Sequence, residues 1–370
     1  MDIQSSIVRS SLVLLKQGSI PHIFSMNEWA VPYRHNSGSA QLIESTLKLI
    51  SEAVTTGGRI LHEKHSEKGS ILPKHISEIH FVLSSPWIIS MARTITERFS
   101  KPMTATKRLV SDIIARERAR DISHDDSNIE MIEEKIFDVR LNGYSVSRWE
   151  DKITDKLDIS FATSVAGSDT MNYLRAICSH IIPAKRIHLH SSLLLQYIGI
   201  FSILPDQKDY ILIHIHGELT DVVIVEHGTC LFFGSFPKGI NNILHAVAVA
   251  THSTAKIADS LLTLCVNDHL DWEQARNAKI IIDKMIEGWI DSLKELFSRS
   301  TCAEALPKTV MISCRVHEDL FIKDFQTAFP KICVKSFTSE QLSSLVSFAG
   351  HIEILRLTGL YAIAMNNMSA

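Results

Sequence analysis

No two of the six cysteines (Cys178, Cys230, Cys265, Cys302, Cys314 and Cys333) stand close enough to make a CxxC pair. Thiols scattered this widely suit a reducing cytosol better than a disulfide framework or a cysteine zinc site. Charge of one sign is also missing. The 38 Lys and Arg nearly balance the 41 Asp and Glu, and a formal net charge of −3 gives no positive field to mark a nucleic-acid partner. No basic-then-apolar signal segment opens the chain, and no run reaches the roughly 18 to 20 apolar residues that a membrane-spanning helix needs. The expectation is a cytoplasmic protein with no transmembrane segment and no nucleic-acid partner, whose membrane contact is at most peripheral. What is present is ordinary globular composition: 45% hydrophobic and 21% charged over 370 residues, enough for a large core and more than one domain.

Along the chain, Ile7 to Phe24 forms two strand-like runs around Gln17-Gly18, a hairpin by pattern. Residues 40–62 carry apolar positions at helical spacing, and the charged run from His62 to Ser70 reads as a surface loop. HFVLSSPW (80–87) is a buried strand ending at a proline, 110–120 is helical, and DISHDDSN (121–128) is turn and helix-cap chemistry. KIFDVRLNGYSV (135–146) alternates around Asn142-Gly143, a strong hairpin signal, and DISFATSVAG (158–167) is a strand leading to a helix capped by Ser168 or Asp169. A second hairpin, ILIHIHGELTDVVIVEHG (211–228), is followed by the strand TCLFFGSF and a Pro237-Lys238-Gly239 turn. Then come a helical region over about 240–300, strands at 309–316 and 331–337, and helical material to about Met365. The only repeat is architectural: a hairpin leading towards helices occurs twice.

Two hairpins with polar turns, each feeding an α/β half, resemble the actin-like ATPase superfamily. GELTDVVIVEHG followed by SFPKG is similar to the second phosphate loop of its bacterial FtsA and PilM branch. Gly217, Glu218, Thr220 and Asp221 fall on that loop's glycine, acid and Thr-Asp pair, and Pro237 and Gly239 on its Pro-x-Gly turn. The segment between the hairpins resembles the small α+β domain (SHS2 type) that this branch carries as an insertion. The resemblance implies a two-lobed, ribonuclease H-like α/β fold. Residues 1–75 and 181–209, with the C-terminal helix of 350–370, would form the first lobe, 76–180 the insertion, and 210–349 the second lobe, with a helical subdomain at about 240–305. It also implies ATP and Mg between the lobes, with phosphates held by backbone N–H groups. Asp2, Ser5, Ser6, Gly217, Glu218, Thr220 and Gly239 would line the phosphates, and Asp2 would be the metal residue. Lys256, with Asp259 beside it, would approach the ribose, and Ser313 and Arg315 the adenine. Partners would be membrane-associated assembly proteins of a pilus or division machinery, with self-association, at the inner face of the cell membrane.

Three corners of this site depart from the family pattern. The first loop, DIQSSIVRS, keeps Asp2 and Ser5 but has Gln4 for the first glycine and Arg9 at a usually small position, and the core strand before Asp2 is nearly absent. In the second loop the expected acid is replaced by His214 in His214-Ile215-His216-Gly217, and an imidazole does not replace a carboxylate as a ligand for a hard cation. The adenine-side strand end, Ser313-Cys314-Arg315, has no glycine. The leading expectation is therefore an actin-fold scaffold with weakened or lost ATP hydrolysis. The alternatives are an active Mg-ATPase with His214 in place of the acid and, behind it, an actin-fold small-molecule kinase.

The i, i+2 pairs His214/His216 and His188/His190 have a spacing found in metal sites, but no third ligand completes either, so ordinary strand positions are expected. Trp87 and Trp149 read as packing rather than as partner anchors, and the C-terminal run, with only Arg356 as a basic residue, as a core helix rather than a membrane-lying one.

Overall fold

The computed structural model describes residues 1–16, 18–32, 39–66, 72–121, 128–146, 148–179, 181–266, 273–300, 306–335, 339–348 and 356–368. Chain order begins with β1 (Asp2–Ile3), β2 (Ile7–Leu14), β3 (His22–Ala30), α1 (Ser39–Ser66) and β4 (Ile79–Leu83). Next come β5 (Ile89–Thr104), α2 (Lys107–Asp121), β6 (Ile129–Leu141), β7 (Tyr144–Ser145), β8 (Ile153–Gly167) and α3 (Ser168–Cys178). β9 (Ile187–Ser191) and α4 (Ser192–Ile203) lead to β10 (Tyr210–Ile215), β11 (Thr220–Glu226), β12 (Thr229–Phe236), α5 (Ile240–Ala250), α6 (Ala255–Val266) and α7 (Glu273–Arg299). The chain continues through β13 (Thr309–Cys314), α8 (Glu318–Ala328), β14 (Cys333–Lys335), α9 (Ser339–Ser343), β15 (Ser347–Phe348) and α10 (Arg356–Met368).

Two sheets share one topology. The first runs β15-β3-β2-β1-β4-β9 and the second β12-β11-β10-β13-β14. Setting aside β15, which joins β3 at the edge, each sheet counted in its own chain order reads 3-2-1-4-5. Both have an antiparallel meander on one side and parallel strands on the other. This duplication is the two-lobed arrangement that the repeated hairpin implied. β1 is only two residues long, yet it is central: Asp2 lies opposite Arg9 on β2 and Val82 on β4.

A four-stranded antiparallel sheet, β5-β8-β6-β7, forms the unit between the halves, with α2 packed on it through Val110, Ile113 and Ile114. The Asn142-Gly143 turn has both residues at positive φ, as a tight hairpin requires. The sixteen-residue β5 was not expected from sequence. Its inner positions include Arg93 and Glu97, and these hide the period-two pattern. Two other expectations need correction. Residues 62–66 are the last turns of α1 rather than loop, supported by an Arg59–Glu63 i, i+4 pair and by Lys64 and His65 at the C-terminal end of the helix dipole. α3 is capped by Gly167, not by a Ser168 or Asp169 side chain, and Asp169 instead accepts a hydrogen bond from Asn128. Most of the 121–128 turn, and residues 67–70, lie outside the described residues.

α4 is apolar all round and buried, as such a helix must be. Leu193, Leu194, Tyr197 and Ile200 pack on Leu212, Val223 and Val225 of the second sheet and on Leu360 of α10. α10, buried continuously from Thr358 to Ala364, is thus the core helix expected of the C-terminal run. No helix among the described residues is long and apolar enough to cross a membrane.

Candidate functional site

The first turn (residues 4–6) and the second hairpin turn (216–219) meet between the two sheets. Ser5 Oγ accepts the Glu218 N–H at 3.2 Å. A Cβ on Gly217 would lie 2.6 Å from Ser6 Cβ and 2.7 Å from Asn241 Nδ2, and a Cβ on Gly239 would lie 2.4 Å from the carbonyl oxygens of both His216 and Gly217. The glycines therefore serve loop-on-loop contact. The amides that open α5 are used in the same way. Ile240 N–H donates to His216 O at 3.0 Å, Asn241 N–H to Gly217 O at 2.8 Å, and Gly239 N–H to Asn242 Oδ1 at 2.7 Å. A helix N-terminus binds an anion through free N–H groups, and these three are committed within the protein.

Asp2 is held by a cation of the chain itself. The β1–β2 register sets Arg9 opposite Asp2, and Asp2 Oδ2 accepts from Arg9 Nη1 at 2.9 Å and from Gln4 Nε2 at 3.0 Å. Both members of the pair are deeply buried, at 4% and 6% exposure. Arg9 also donates through Nε and Nη2 to Glu28 Oε2 at 3.2 and 2.7 Å, and Glu28 Oε1 accepts from Arg315 Nε at 2.6 Å. The chain Asp2–Arg9–Glu28–Arg315 joins the first sheet to the end of β13. Burial pushes the Asp2 carboxyl above its ordinary pKa, and the Arg9 guanidinium and Gln4 amide pull against it. Glu28 is also desolvated, but Arg9 and Arg315 outweigh that and hold its carboxyl below its ordinary value.

The two histidines of the second hairpin lie side by side, with ring centroids 4.0 Å apart and planes tilted by 36°, and each has its own partner. His216 Nε2 lies 2.8 Å from Asp221 Oδ2, and its Nδ1 lies 3.5 Å from Gln4 Oε1. Burial alone would raise the Asp221 carboxyl, but His216 keeps it below its ordinary pKa. His214 Nδ1 accepts from Gln196 Nε2 of α4 at 3.0 Å. Burial, then His216 and Arg9, hold the His214 pKa well below the ordinary value, so the ring is neutral. A ring so placed faces α4 rather than the turn where an attacking water would be oriented.

The remaining candidates divide. Thr220 Oγ1 donates to Lys238 O at 2.7 Å and accepts from Trp289 Nε1 at 2.9 Å, which makes it an internal strut. Glu218 Oε1 accepts from Asn241 Nδ2 at 2.8 Å. Ser313 is half-buried, and Arg315 is committed to Glu28. Lys256 is exposed on α6, while Asp259 Oδ1 lies 2.8 Å from His317 Nε2 in the turn after β13. Trp87 is buried and donates to Gln4 O at 3.2 Å, so it packs beneath the first turn as its packing reading expects. Sequence reasoning missed Glu28, Gln196, Asn241 and Trp289. Only Glu28 had a signal, because the hairpin of β2 and β3, expected from sequence, sets it opposite Arg9.

Mg-ATP does not fit this arrangement. Ser5 and Ser6 stand against Gly217 where the phosphates would pass, and a guanidinium sits on the carboxylate meant for the metal side. A hard cation needs several oxygen ligands, and Asp2 and Asp221 are already engaged by Arg9 and His216. Asp2 Oδ1 and Asp221 Oδ1 have no hydrogen-bond partner among the described residues, but two such oxygens fall short of the six ligands that magnesium takes.

The paired 3-2-1-4-5 sheets, with their hairpin turns facing one another, define an actin-like fold. No family model matches the chain, and no curated protein does. Among solved structures the fold is similar to that in the PilM–PilN type IV pilus biogenesis complex, which superposes on 99% of this chain and 95% of that one, with a TM-score of 0.64 at 9% identity. An actin-like ATPase-fold protein of unknown function from Bacteroides thetaiotaomicron covers 90% of this chain and 86% of its own, with a TM-score of 0.35 at 8% identity. MreB5 of Spiroplasma citri bound to AMPPNP covers 55% and 66%, with a TM-score of 0.39 at 12% identity. At such identities the shared property is the fold.

Proposed function

We propose that this chain is a nucleotide-independent actin-fold scaffold of the PilM and FtsA type. It organises a membrane-associated assembly at the cytoplasmic face of the membrane, most closely the platform of a type IV pilus. The observation that carries this reading is the closure of the phosphate site on itself: Ser5 takes the Glu218 amide, α5 gives its opening amides to the second turn, and Arg9 neutralises Asp2. The near-full-length superposition on a PilM–PilN complex supports the choice of assembly. Residues 76–180 are read as the inserted SHS2-type domain, and partner or self-contacts are assigned to it. There Tyr144 and Ile153 are large apolar side chains at 76% and 69% exposure, with Met103 also exposed.

Thermal melting with and without millimolar Mg-ATP tests the nucleotide half of the proposal. A ligand at 100 times its dissociation constant adds about 2.7 kcal/mol to stability, so a clear upward shift would overturn it. The expected result is no shift. Capture of assembly proteins from solubilised membranes should be equally efficient with Mg-ATP, with Mg-ADP and with neither. Capture that depends on nucleotide would restore the ATPase reading.

A further inference from the structure

A second polar cluster lies outside the site between the turns. We propose that Glu78, His80 and His188 form a binding site for one divalent transition-metal ion of the zinc class. The fold brings them together through the parallel β4–β9 pair, whose register sets His80 directly opposite His188. Glu78, two residues before His80, falls on the same face, and so does His190, two residues after His188. One ligand atom from each of Glu78, His80 and His188 lies within 4.8 Å of the other two. Glu78 Oε2 is 3.3 Å from His80 Nε2 and 3.7 Å from His188 Nε2. Zinc with bonds of about 2.0–2.1 Å in tetrahedral geometry separates its ligand atoms by roughly 3.3 Å, so small side-chain adjustments would seat the ion.

Two further features match what a metal-binding histidine requires. His80 Nδ1 lies 3.0 Å from His190 Nε2, and His190 Nδ1 lies 4.0 Å from Glu133 Oε2 on β6. A proton on His80 Nδ1, donated to His190, leaves the lone pair on Nε2, the atom that faces Glu78 and His188. An outer partner commonly fixes the tautomer of a metal ligand in this way. His188 Nε2 is a buried nitrogen with no hydrogen-bond partner among the described residues, although it points at the cluster. Glu78, 52% exposed, gives the ion a way in. Two imidazoles and one carboxylate suit zinc and its neighbours better than magnesium or calcium, and they leave a fourth position open. The ion would tie the edge strand β9 to β4 where the first sheet meets the inserted unit.

The test is calorimetric titration of the chelator-stripped full-length chain with zinc chloride, beside E78Q, H188A and, as a control on a distant exposed histidine, H227A. One zinc per chain is expected for the unaltered protein and for H227A. Each ligand variant should lose more than the ~10–100-fold in affinity that removal of an outer partner costs. Glu78 is exposed, so E78Q will fold, and circular dichroism checks H188A. X-ray absorption of the zinc-loaded protein should show two imidazole nitrogens and a carboxylate oxygen at about 2.0–2.2 Å. The proposal is overturned if the unaltered chain takes up no zinc, or if E78Q and H188A bind it with unchanged stoichiometry and affinity.

Discussion

Replacing Arg9 with Met is the sharpest probe of the closed site. The side-chain volume is largely kept, while Asp2 loses the cation 2.9 Å away and the donor to Glu28. The direct Coulomb attraction at 2.9 Å is about 6 kcal/mol for an effective dielectric constant near 20, from 332/(20 × 2.9). That gross figure is offset by desolvation of both ions. Breaking a buried pair from one side is nevertheless costly, about 3–5 kcal/mol, because a charge is left behind without its partner. At 4% exposure Asp2 has little water to turn to. R9M should therefore lose about 3–5 kcal/mol in urea unfolding at neutral pH. Tryptophan fluorescence is a suitable readout, since Trp87 is bonded to the first turn through Gln4 O. Adding Asp2→Asn removes the stranded charge, so D2N/R9M should recover more than half of the loss. A loss below about 1 kcal/mol for R9M, the size of an exposed pair, would refute the view that this pair closes the site. So would a double variant no more stable than R9M.

Further outcomes follow from the same contacts. Gly239→Ala places a Cβ 2.4 Å from two backbone carbonyl oxygens, whereas Gly217→Ala meets Ser6 Cβ at 2.6 Å and Asn241 Nδ2 at 2.7 Å, the latter the end of a movable side chain. G239A should thus melt lower than G217A, with losses at or above the ~1–3 kcal/mol of ordinary overpacking, and the reverse order would contradict the packing. Thr220→Val strands the Trp289 indole donor and should cost about 1–3 kcal/mol, equally with and without Mg-ATP; a nucleotide-dependent cost would return Thr220 to a phosphate role. His214 is neutral when folded and titrates near 6.5 when unfolded, so the unfolded chain binds the extra proton. Its contribution is therefore present above pH 6.5 and lost as pH falls, by up to about 1.4 kcal/mol per pH unit. Urea midpoints between pH 7 and 5 should fall less steeply in H214Q than in the unaltered protein, and parallel slopes would show that the ring is not held neutral.

The fold was legible wherever local chemistry agreed with tertiary structure. Gln17-Gly18 and Asn142-Gly143 announced two hairpins, and the repeated passage from hairpin to helices announced two equal halves. β5 was not legible, because Arg93 and Glu97 occupy its inner positions and the face they join is only partly buried. The site was half legible. Asp2, Ser5, Gly217 and Gly239 stand where the turns meet, but the sequence carried no trace of Gln196 beneath His214 or of Trp289 beneath Thr220, since only packing of α4 and α7 onto the second sheet brings them there. The histidine pairs show the same limit. Each i, i+2 pair lacked a third ligand in its own strand. For His214/His216 the partners lie on α4 and β11, where Gln196 and Asp221 meet the rings. For His188 the proposed further ligands, His80 on β4 and Glu78 just before it, lie more than a hundred residues away, and only the β4–β9 register brings them together.

The departures in the phosphate loops are better understood together than singly. A nucleotide site holds surplus negative charge on the protein and the phosphates, and magnesium balances it. By the resemblance, His214 stands where the second loop would carry its acid, and in the first loop Arg9 pairs with Asp2, so that carboxylate is met by a cation of the chain itself. Gln4, in the place of the first glycine, fills space a phosphate would use and bridges Asp2 to His216. Each contact meets a buried need: Arg9 offsets the Asp2 carboxylate, and Asp221 and Gln4 face the two nitrogens of His216. Together they form a buried network that joins the two sheets from within, complete but for Asp2 Oδ1 and Asp221 Oδ1. On the scaffold reading proposed above, such a network would hold the halves in one arrangement as a bound nucleotide would, without being hydrolysed or exchanged. A scaffold that must stay assembled regardless of nucleotide supply is the role that this exchange of ligand for side chains suits.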